Sequence, residues 1–370
     1  MSIQLTQPLL VPEYVSAMVK MYVSFFDPVT SLTVTLPSHT INVQSVLTSL
    51  IPGKTANANA VALNDSDLFI ANSSPDSQCI FKVPNYLMDP GLAIAQTFVF
   101  TLDGNDYVGM AFNAAGDLYA AEGNFMDNHI FKYTGTRKGY PGPALAAVDN
   151  YATRVDLGNA GATSYFANLA FDAAGNLWAS DYKNHRLVAF DASNLGGANT
   201  YHVLANLDAS IPVANTDAAL NGNADHLFAE PEGIDFDAGG NLWVANNNDA
   251  GGAGGVQNLR TSLVQITSAL QAAVLATASG GTLMPAVAQS NTNFFIYQVP
   301  NLMNDAGARP QFGGLQVDRT AGRIFVNEEI AGKGRGYEIA TIAAIGTSTA
   351  ANDLEIVSTN PGNGGIALVR

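Results

Sequence analysis

Apolar and polar residues alternate in short bursts along this chain, and three of the bursts align without gaps. They are GMAFNAAGDLYAAE (109–122), NLAFDAAGNLWASD (168–181) and GIDFDAGGNLWVAN (233–246). Two looser copies flank them: AVALNDSDLFIAN (60–72), one residue shorter, and GLQVDRTAGRIFVNE (314–328), one residue longer. In each, a short apolar run meets a turn rich in Asp, Asn and Gly, and a second apolar run follows. Asp and Asn hydrogen-bond their own backbone and Gly accepts positive φ, so the chain reverses there and the unit predicts a β-hairpin.

Further strands follow each hairpin. Third strands are expected at CIFKV (79–83), HIFKY (129–133), RLVAF (186–190), SLVQI (262–266) and YEIAT (337–341). Fourth strands are expected at QTFVF (96–100), TRVDL (153–157), YHVLA (201–205), FFIYQV (294–299) and LEIVS (354–358). No long amphipathic helix interrupts the series. Four-stranded antiparallel units repeating along a chain predict a β-propeller.

The chain ends suggest how the ring closes. GGIALVR (364–370) reproduces only the first strand of the unit. Its partners are expected near the N-terminus, among MVKMYVSFF, SLTVTL and TINVQSV, although residues 14–26 also suit a short helix. The expectation is therefore one all-β domain over 1–370, a six-bladed β-propeller of four-stranded antiparallel blades. The blades fall near 58–105, 106–164, 165–229, 230–311 and 312–361, with 362–370 joining 1–57 in the last. Sharing a blade between the termini removes exposed sheet edges.

Charge and cysteine content narrow the function. The net charge of −15 repels nucleic-acid phosphate and anionic membranes. The lone cysteine, Cys79, excludes an intrachain disulfide and a cysteine-based zinc cluster. The apolar run 14–26 is broken by Lys20, is too short to span a bilayer, and lacks the features of a signal peptide. The chain is expected in the cytoplasm if complete, exported if a leader has been removed, and monomeric.

Reading the repeats in register places two sets of polar residues around the channel. Asn72, Glu122, Asp181, Asn246 and Glu328 close the second strands. A hard cation such as Ca²⁺ needs several converging oxygens of this kind. The same residue types also end strands by accepting backbone N–H bonds, with no ligand involved. The second set lies before the innermost strand: Asn59, Val108, Ala167, Glu232 and Gly313, with Asn168 one residue later.

His226, near Glu230 and Glu232, is a candidate general base because its ordinary pKa lies near neutrality. Packing roles are expected for His185 and His129, and for Trp178 and Trp243 at matching strand positions. GGAGG (251–255) lacks the features of a phosphate loop, and GKGRG (332–336) reads as solvated charge.

The stretch NLAFDAAGNLWASDYKNHRLVAFD (168–191) resembles an NHL repeat, most strongly in this unit and partially in the other four. The resemblance implies a six-bladed propeller of the wider group that includes gluconolactonase (SMP-30)-like enzymes and virginiamycin B lyases. In the former, metal-holding Glu, Asn and Asp precede the inner strands, each typically followed by Gly. That pattern is matched here at Glu232–Gly233 and, in reduced form, by Asn59 and Asn168. In the latter, a Glu closes a strand as Glu122 does in LYAAE, but the family's histidines before an inner strand have no counterpart. Three readings follow from these residues. One is a divalent-cation-assisted enzyme, with Ca²⁺ as cofactor, acting on a small lactone, ester or related oxygenated substrate through Glu232, Glu122 or His226. The second is a non-catalytic module binding a protein, peptide or glycan on its top face. The third is a metal-assisted lyase with Glu122 moving the proton.

Overall fold

The computed structural model describes residues 2–13, 17–26, 38–75, 77–89, 97–101, 104–123, 128–136, 151–161, 163–196, 200–205, 228, 230–246, 262–285, 293–298, 311–330, 336–342, 354–359 and 367–368. Its strands form six sheets. The first combines β1 (Ser2–Glu13), β2 (Met18–Phe26) and β3 (His39–Asn42) with a strand from the C-terminus. The second holds β4 (Ala58–Asn64), β5 (Asp67–Asn72), β6 (Cys79–Val83) and β7 (Phe98–Thr101). The third holds β8 (Tyr107–Phe112), β9 (Leu118–Glu122), β10 (Ile130–Thr136) and β11 (Tyr151–Asp156).

The fourth sheet runs through β12 (Phe166–Phe171), β13 (Leu177–Asp181), β14 (Arg186–Phe190) and β15 (Tyr201–Leu204). The fifth contains β16 (Pro231–Phe236), β17 (Leu242–Asn246) and β18 (Ser262–Ile266). A short β19 (Thr282–Leu283) then leaves to join the fourth sheet, and β20 (Phe294–Gln298) completes the fifth. The sixth comprises β21 (Gln311–Asp318), β22 (Arg323–Ile330), β23 (Gly336–Ile342) and β24 (Leu354–Thr359). β25 (Ala367–Leu368) pairs antiparallel with β1 at Leu9 and Leu10.

The sheets make a β-propeller. Inner strands touch in sequence: β25 with β4, β4 with β8, β8 with β12, β12 with β16, β16 with β21, and β21 with β25. The N-terminal portion bears out the strand expected at MVKMYVSFF (18–26) and corrects the rest of the sequence reading. Ser2–Glu13 is the strand beside β25, residues 18–26 are strand and not helix, and TINVQSV is strand only to Asn42. From Val43 to Leu50 the chain is helix α1, whose N-cap Asn42 accepts a bond from Ser45 N at 2.9 Å. SLTVTL lies outside the described residues.

The hairpin turns follow the chemistry the sequence predicts. Oδ1 of Asn113, Asp172 and Asp237 each accepts two backbone N–H bonds from within its own turn. Gly116, Gly175 and Gly240 hold φ of 81°, 86° and 78°, where a side chain would be strained. Trp178 and Trp243 are buried and donate Nε1–H to the turn residues Asp172 and Asp237, at 3.4 and 2.9 Å. Apolar clusters fill the space between adjacent sheets. One joins Phe69, Phe100, Tyr107 and Tyr133, and another joins Trp178, Phe228, Ile234 and Phe294.

One departure from the repeat is an excursion from the fifth sheet. After β18 the chain forms helix α2 (Ser268–Leu275) and then β19, which adds a parallel fifth strand beside β15. Among the described residues neither helix is long and apolar enough to cross a membrane.

Candidate active site

Five of the inner strands begin with a bulge at one register. Pairing skips between Ala58 and Ala60, Tyr107 and Gly109, Phe166 and Asn168, Pro231 and Ile234, and Phe312 and Leu315. The residues left out are Asn59, Val108, Ala167, Glu232–Gly233 and Gly313–Gly314, the positions the sequence marks before each inner strand. A bulge releases a residue from the ladder and re-aims it. Neighbouring bulges then lean on one another. Asn59 Nδ2 donates to Tyr107 O at 3.1 Å, and Ser180 Oγ donates to Glu232 O at 2.5 Å.

This packing explains the glycine after Glu232. A Cβ at Gly233 would sit 2.6 Å from Gly313 O, and one at Gly109 would sit 2.9 Å from Ala167 O. Both glycines are demanded by close backbone approach between sheets. Asn168 N is bonded to Ser180 Oγ at 3.0 Å, and Asn168 itself is buried.

The residues closing the second strands serve different ends. Asn72 is buried, accepts Asn57 N at 2.7 Å through Oδ1, and donates Nδ2 to Ser77 O at 2.6 Å. Asp181 is fully buried. Its Oδ2 accepts Arg186 Nε at 2.7 Å and Asn184 Nδ2 at 2.8 Å, while Oδ1 accepts Tyr165 N at 3.1 Å. Asn246 is buried opposite Pro231 and Ser262, and Glu122 Oε2 accepts His129 N at 3.4 Å. Glu328 pairs with Phe312 and Glu338 through its backbone, and its side chain is not described.

Protein donors thus already engage both oxygens of Asp181 and the single oxygen of the Asn72 side chain. Among the described residues no three His, Cys, Asp or Glu side chains gather as metal ligands. A Ca²⁺ site that uses Asn72 and Asp181 does not fit this donor set. His226, GGAGG and most of GKGRG lie outside the described residues.

A second polar set sits two residues before four of the bulges, at Asn57, Asp106, Tyr165 and Glu230. In three sheets the residue following the second strand donates its backbone N–H to this position. Ser73 N bonds Asn57 O at 3.1 Å, Gly123 N bonds Asp106 O at 2.5 Å, and Tyr182 N bonds Tyr165 O at 2.9 Å. Of these positions the sequence reading named only Glu230, although extending the repeat alignment by two residues exposes the rest.

The electrostatics concentrate at Asp106. Burial, opposed by the nearby Ser73 hydroxyl and reinforced by the charge of Glu122, pushes its carboxyl up to about 6. Among the described residues, Asp106 Oδ1 is buried without a hydrogen-bond partner, and so is Ser73 Oγ. The serine hydroxyl lies beside the carboxyl. Tyr165 is raised by burial and then by the charges of Glu232 and Asp106. Tyr182 is raised by burial, by its hydrogen bond to Glu230, and by the charges of Glu230 and Glu232.

The two tyrosine rings meet edge to face, with centroids 5.6 Å apart. His185 stands behind them at φ 51° and accepts Glu230 N on Nδ1 at 3.0 Å. His129 instead pairs with Asp156 at 2.8 Å. The face thus carries a carboxyl of raised proton affinity, Glu122 beside it, and an aromatic pair bordered by Glu230 and Glu232.

At the hairpin-turn side, the inner strands enclose a cavity of about 550 Å³. Asn168, Asp235, Gln316 and Arg319 are among its lining residues. Asp235 Oδ2 accepts Val317 N at 2.8 Å, and Arg319 Nε donates to Phe236 O at 2.8 Å. These bonds stitch β16 to β21.

No protein-family model matches the chain, and no curated protein matches it. Solved structures do resemble it. A catalytically inactive virginiamycin B lyase from Staphylococcus aureus with quinupristin is 12% identical, with a TM-score of 0.49 covering 97% of this chain and 87% of that one. A protein of unknown function from Bacteroides caccae is 10% identical, with a TM-score of 0.49 over 98% and 99% of the two chains. A protein from Lactobacillus plantarum is 12% identical, with a TM-score of 0.48 over 96% and 82%. Neither activity nor ligand carries over at this level, and the propeller stands on the sheets and the contacts between their inner strands.

Proposed function

We propose that the protein is an acid–base enzyme acting on a small ester, lactone or related oxygenated substrate, with Asp106 and Glu122 as its proton-transfer pair. The six sheets are read here as six blades of a closed ring, of the kind seen in NHL and SMP-30-like propellers. The observation that carries the proposal is the buried Oδ1 of Asp106, which has no partner among the described residues and belongs to a carboxyl pushed up to about 6. A carboxyl whose burial raises its proton affinity toward neutrality is suited to general acid–base work.

In the ionised state Asp106 takes a proton from an attacking water or from a carbon next to the carbonyl. Once protonated, it returns that proton to the leaving oxygen. The Glu122 charge helps keep the proton affinity of Asp106 high enough for both steps, and the Ser73 hydroxyl is placed to orient the carboxyl. Ca²⁺ remains the cofactor that the NHL and SMP-30 resemblance suggests, but no step is derived through it because Asn72 and Asp181 of the ring do not fit.

The test is hydrolysis and elimination across a panel of esters and lactones, with Asp106→Asn and Glu122→Gln. Asp106→Asn should lower kcat by about 100-fold or more, as loss of a general acid–base group does. In the wild type, kcat/KM should bend near pH 6. Asp106→Asn with undiminished turnover would overturn the proposal. A second reading, a non-catalytic binding module, is favoured if neither carboxylate variant alters any turnover.

A further inference from the structure

We infer that the cavity on the hairpin-turn side binds a small organic carboxylate, held by backbone amides of neighbouring inner strands. This site lies toward the turns, whereas Asp106 precedes β8, and neither site needs the other. β8, β12, β16 and β21 each stand at the edge of their sheet. With one strand partner apiece, they turn the N–H and C=O of every second residue away from that partner, toward the channel.

The turn bonds fix which residues these are. Asn113 N donates to Asp117 O, Asp172 N to Asn176 O and Asp237 N to Asn241 O, at 3.1, 3.1 and 2.9 Å. Bonded and non-bonded pairs alternate along an antiparallel ladder. The residues one place earlier, Phe112, Phe171 and Phe236, therefore present their N–H and C=O to the channel. At Phe236 both groups are taken. Its N–H donates to Asp235 Oδ1 at 2.8 Å, and its C=O accepts Arg319 Nε at 2.8 Å. The other Asp235 oxygen accepts Val317 N, on the next inner strand, at 2.8 Å. One buried carboxylate thus spans amides of two neighbouring inner strands.

Phe112 and Phe171 occupy the same register on β8 and β12, and both line the cavity. The residue before each is alanine, Ala111 and Ala170, where β16 has Asp235. Among the described residues nothing accepts a bond from Phe112 N or Phe171 N. An amide turned away from its sheet needs an acceptor from elsewhere. Asn168 points to the same need independently. It lines the cavity at 7% exposure and its Oδ1 accepts Leu169 N at 2.7 Å, while its Nδ2 has no acceptor among the described residues. Arg319, with its side chain 39% exposed, brings a positive charge to the same cavity. Asp172, also in the lining, has both oxygens engaged by its own hairpin and does not compete for these donors. A carboxylate entering the channel would give Phe112 and Phe171 the acceptor that Asp235 gives Phe236 and Val317. About 550 Å³ suits a small molecule.

The test uses the full chain, with succinate as the probe and uncharged succinamide as the control. Protein labelled with ¹⁵N at phenylalanine reports the amides directly, and Phe112→Leu and Phe171→Leu assign the two signals. Succinate is expected to shift the Phe112 and Phe171 amides saturably and to leave Phe236, already held by Asp235, unmoved. It should bind at least tenfold more tightly than succinamide. Asn168→Ala and Arg319→Gln should each weaken succinate about tenfold, the loss of one charge-assisted contact. Ala111→Asp sets a tethered carboxylate at the Asp235 register and should abolish binding; the other two variants carry the test if it does not fold. No saturable shift at Phe112 and Phe171, equal binding of succinamide, or binding unchanged in both Asn168→Ala and Arg319→Gln would overturn the inference. Asp106→Asn should leave succinate binding as it is, so this inference and the enzymatic reading fail separately.

Discussion

Asp181 and Arg186 form a buried ion pair, with Nε 2.7 Å from Oδ2, the carboxylate fully buried and the guanidinium side chain 15% exposed. The pair joins the end of one strand to the start of the next. Arg186 Nη2 continues to Ser164 Oγ at 3.2 Å, tying in the segment that enters β12. A residue whose type and register suit a cation site is thus committed to holding its sheet together. Removing one partner strands the other charge in a buried setting, so Asp181→Asn should cost about 3 to 5 kcal/mol. Urea unfolding measures this, and the loss should be the same in Ca²⁺ and in chelator. A loss that appears only with Ca²⁺ present would restore Asp181 as a ligand.

Two glycines with different physics should respond differently to alanine. Gly233 faces backbone of the next sheet, which cannot move aside, so Gly233→Ala should cost about 3 kcal/mol, at the upper end of overpacking effects. Gly240 would have nothing within 4 Å of an added Cβ but holds φ of 78°. Gly240→Ala should therefore cost only the left-handed strain of about 1 to 2 kcal/mol. Thermal unfolding of the two variants checks the ordering.

Two aspartates should pull the pH dependence of stability in opposite directions. The Asp106 carboxyl is raised from 3.8 to about 6 on folding, so its ionised form opposes the fold. Its contribution is most favourable below the unfolded value and is lost as pH rises through 6. Asp106→Asn should then stabilise the protein at pH 8 by about 2 to 3 kcal/mol and do little at pH 4. Burial works against Asp237, but bonds from Asn241, Trp243 and Gln265 outweigh it and hold that carboxyl below its usual range. Its stabilisation is present above the unfolded value and fades as pH falls through the lowered folded one. Asp237→Asn should therefore destabilise at pH 8 and progressively less in acid. Denaturant titrations at several pH values read both signs.

The α2–β19 excursion is clasped by His202. This residue is 3% exposed, with Nε2 facing Asp191 Oδ2 at 3.1 Å and Nδ1 facing Thr277 Oγ1 at 3.0 Å. Beside it, Val203 N and Ala205 N donate to Gly281 O and Leu283 O. His202→Ala should loosen the excursion locally and speed hydrogen exchange at Val203 and Ala205 by about tenfold, the equivalent of roughly 1.4 kcal/mol. Unchanged exchange at those two amides would show that the strand pairing alone holds it.

The repeat was readable because each hairpin is a local object. Asp172, Gly175 and Trp178 interact within a few residues, and so do Asp237, Gly240 and Trp243, so spacing along the chain is enough to find them. The third and fourth strands followed for the same reason, with bounds shifted by a few residues. The N-terminal strand Ser2–Glu13 was not readable as the partner of β25, because that pairing joins opposite ends of the chain and leaves no local mark. The excursion through α2 and β19 was equally hidden, since its partner β15 belongs to another repeat.

For the site, the order of residues along the chain settles which registers carry polar groups, and the bulges at Asn59 and Glu232 fall on those registers. It leaves open what each side chain faces. Asp181 found Arg186, Asn72 found Asn57 and Ser77, and Gly233 found the backbone of the next sheet. Asp106, Tyr165 and Tyr182 gained their perturbed chemistry from burial and from carboxylates on other strands. Strand spacing and turn chemistry are encoded over a few residues. Dielectric, charge proximity and close backbone approach arise only when residues far apart in the chain are packed together, which is the contribution of the folded ring.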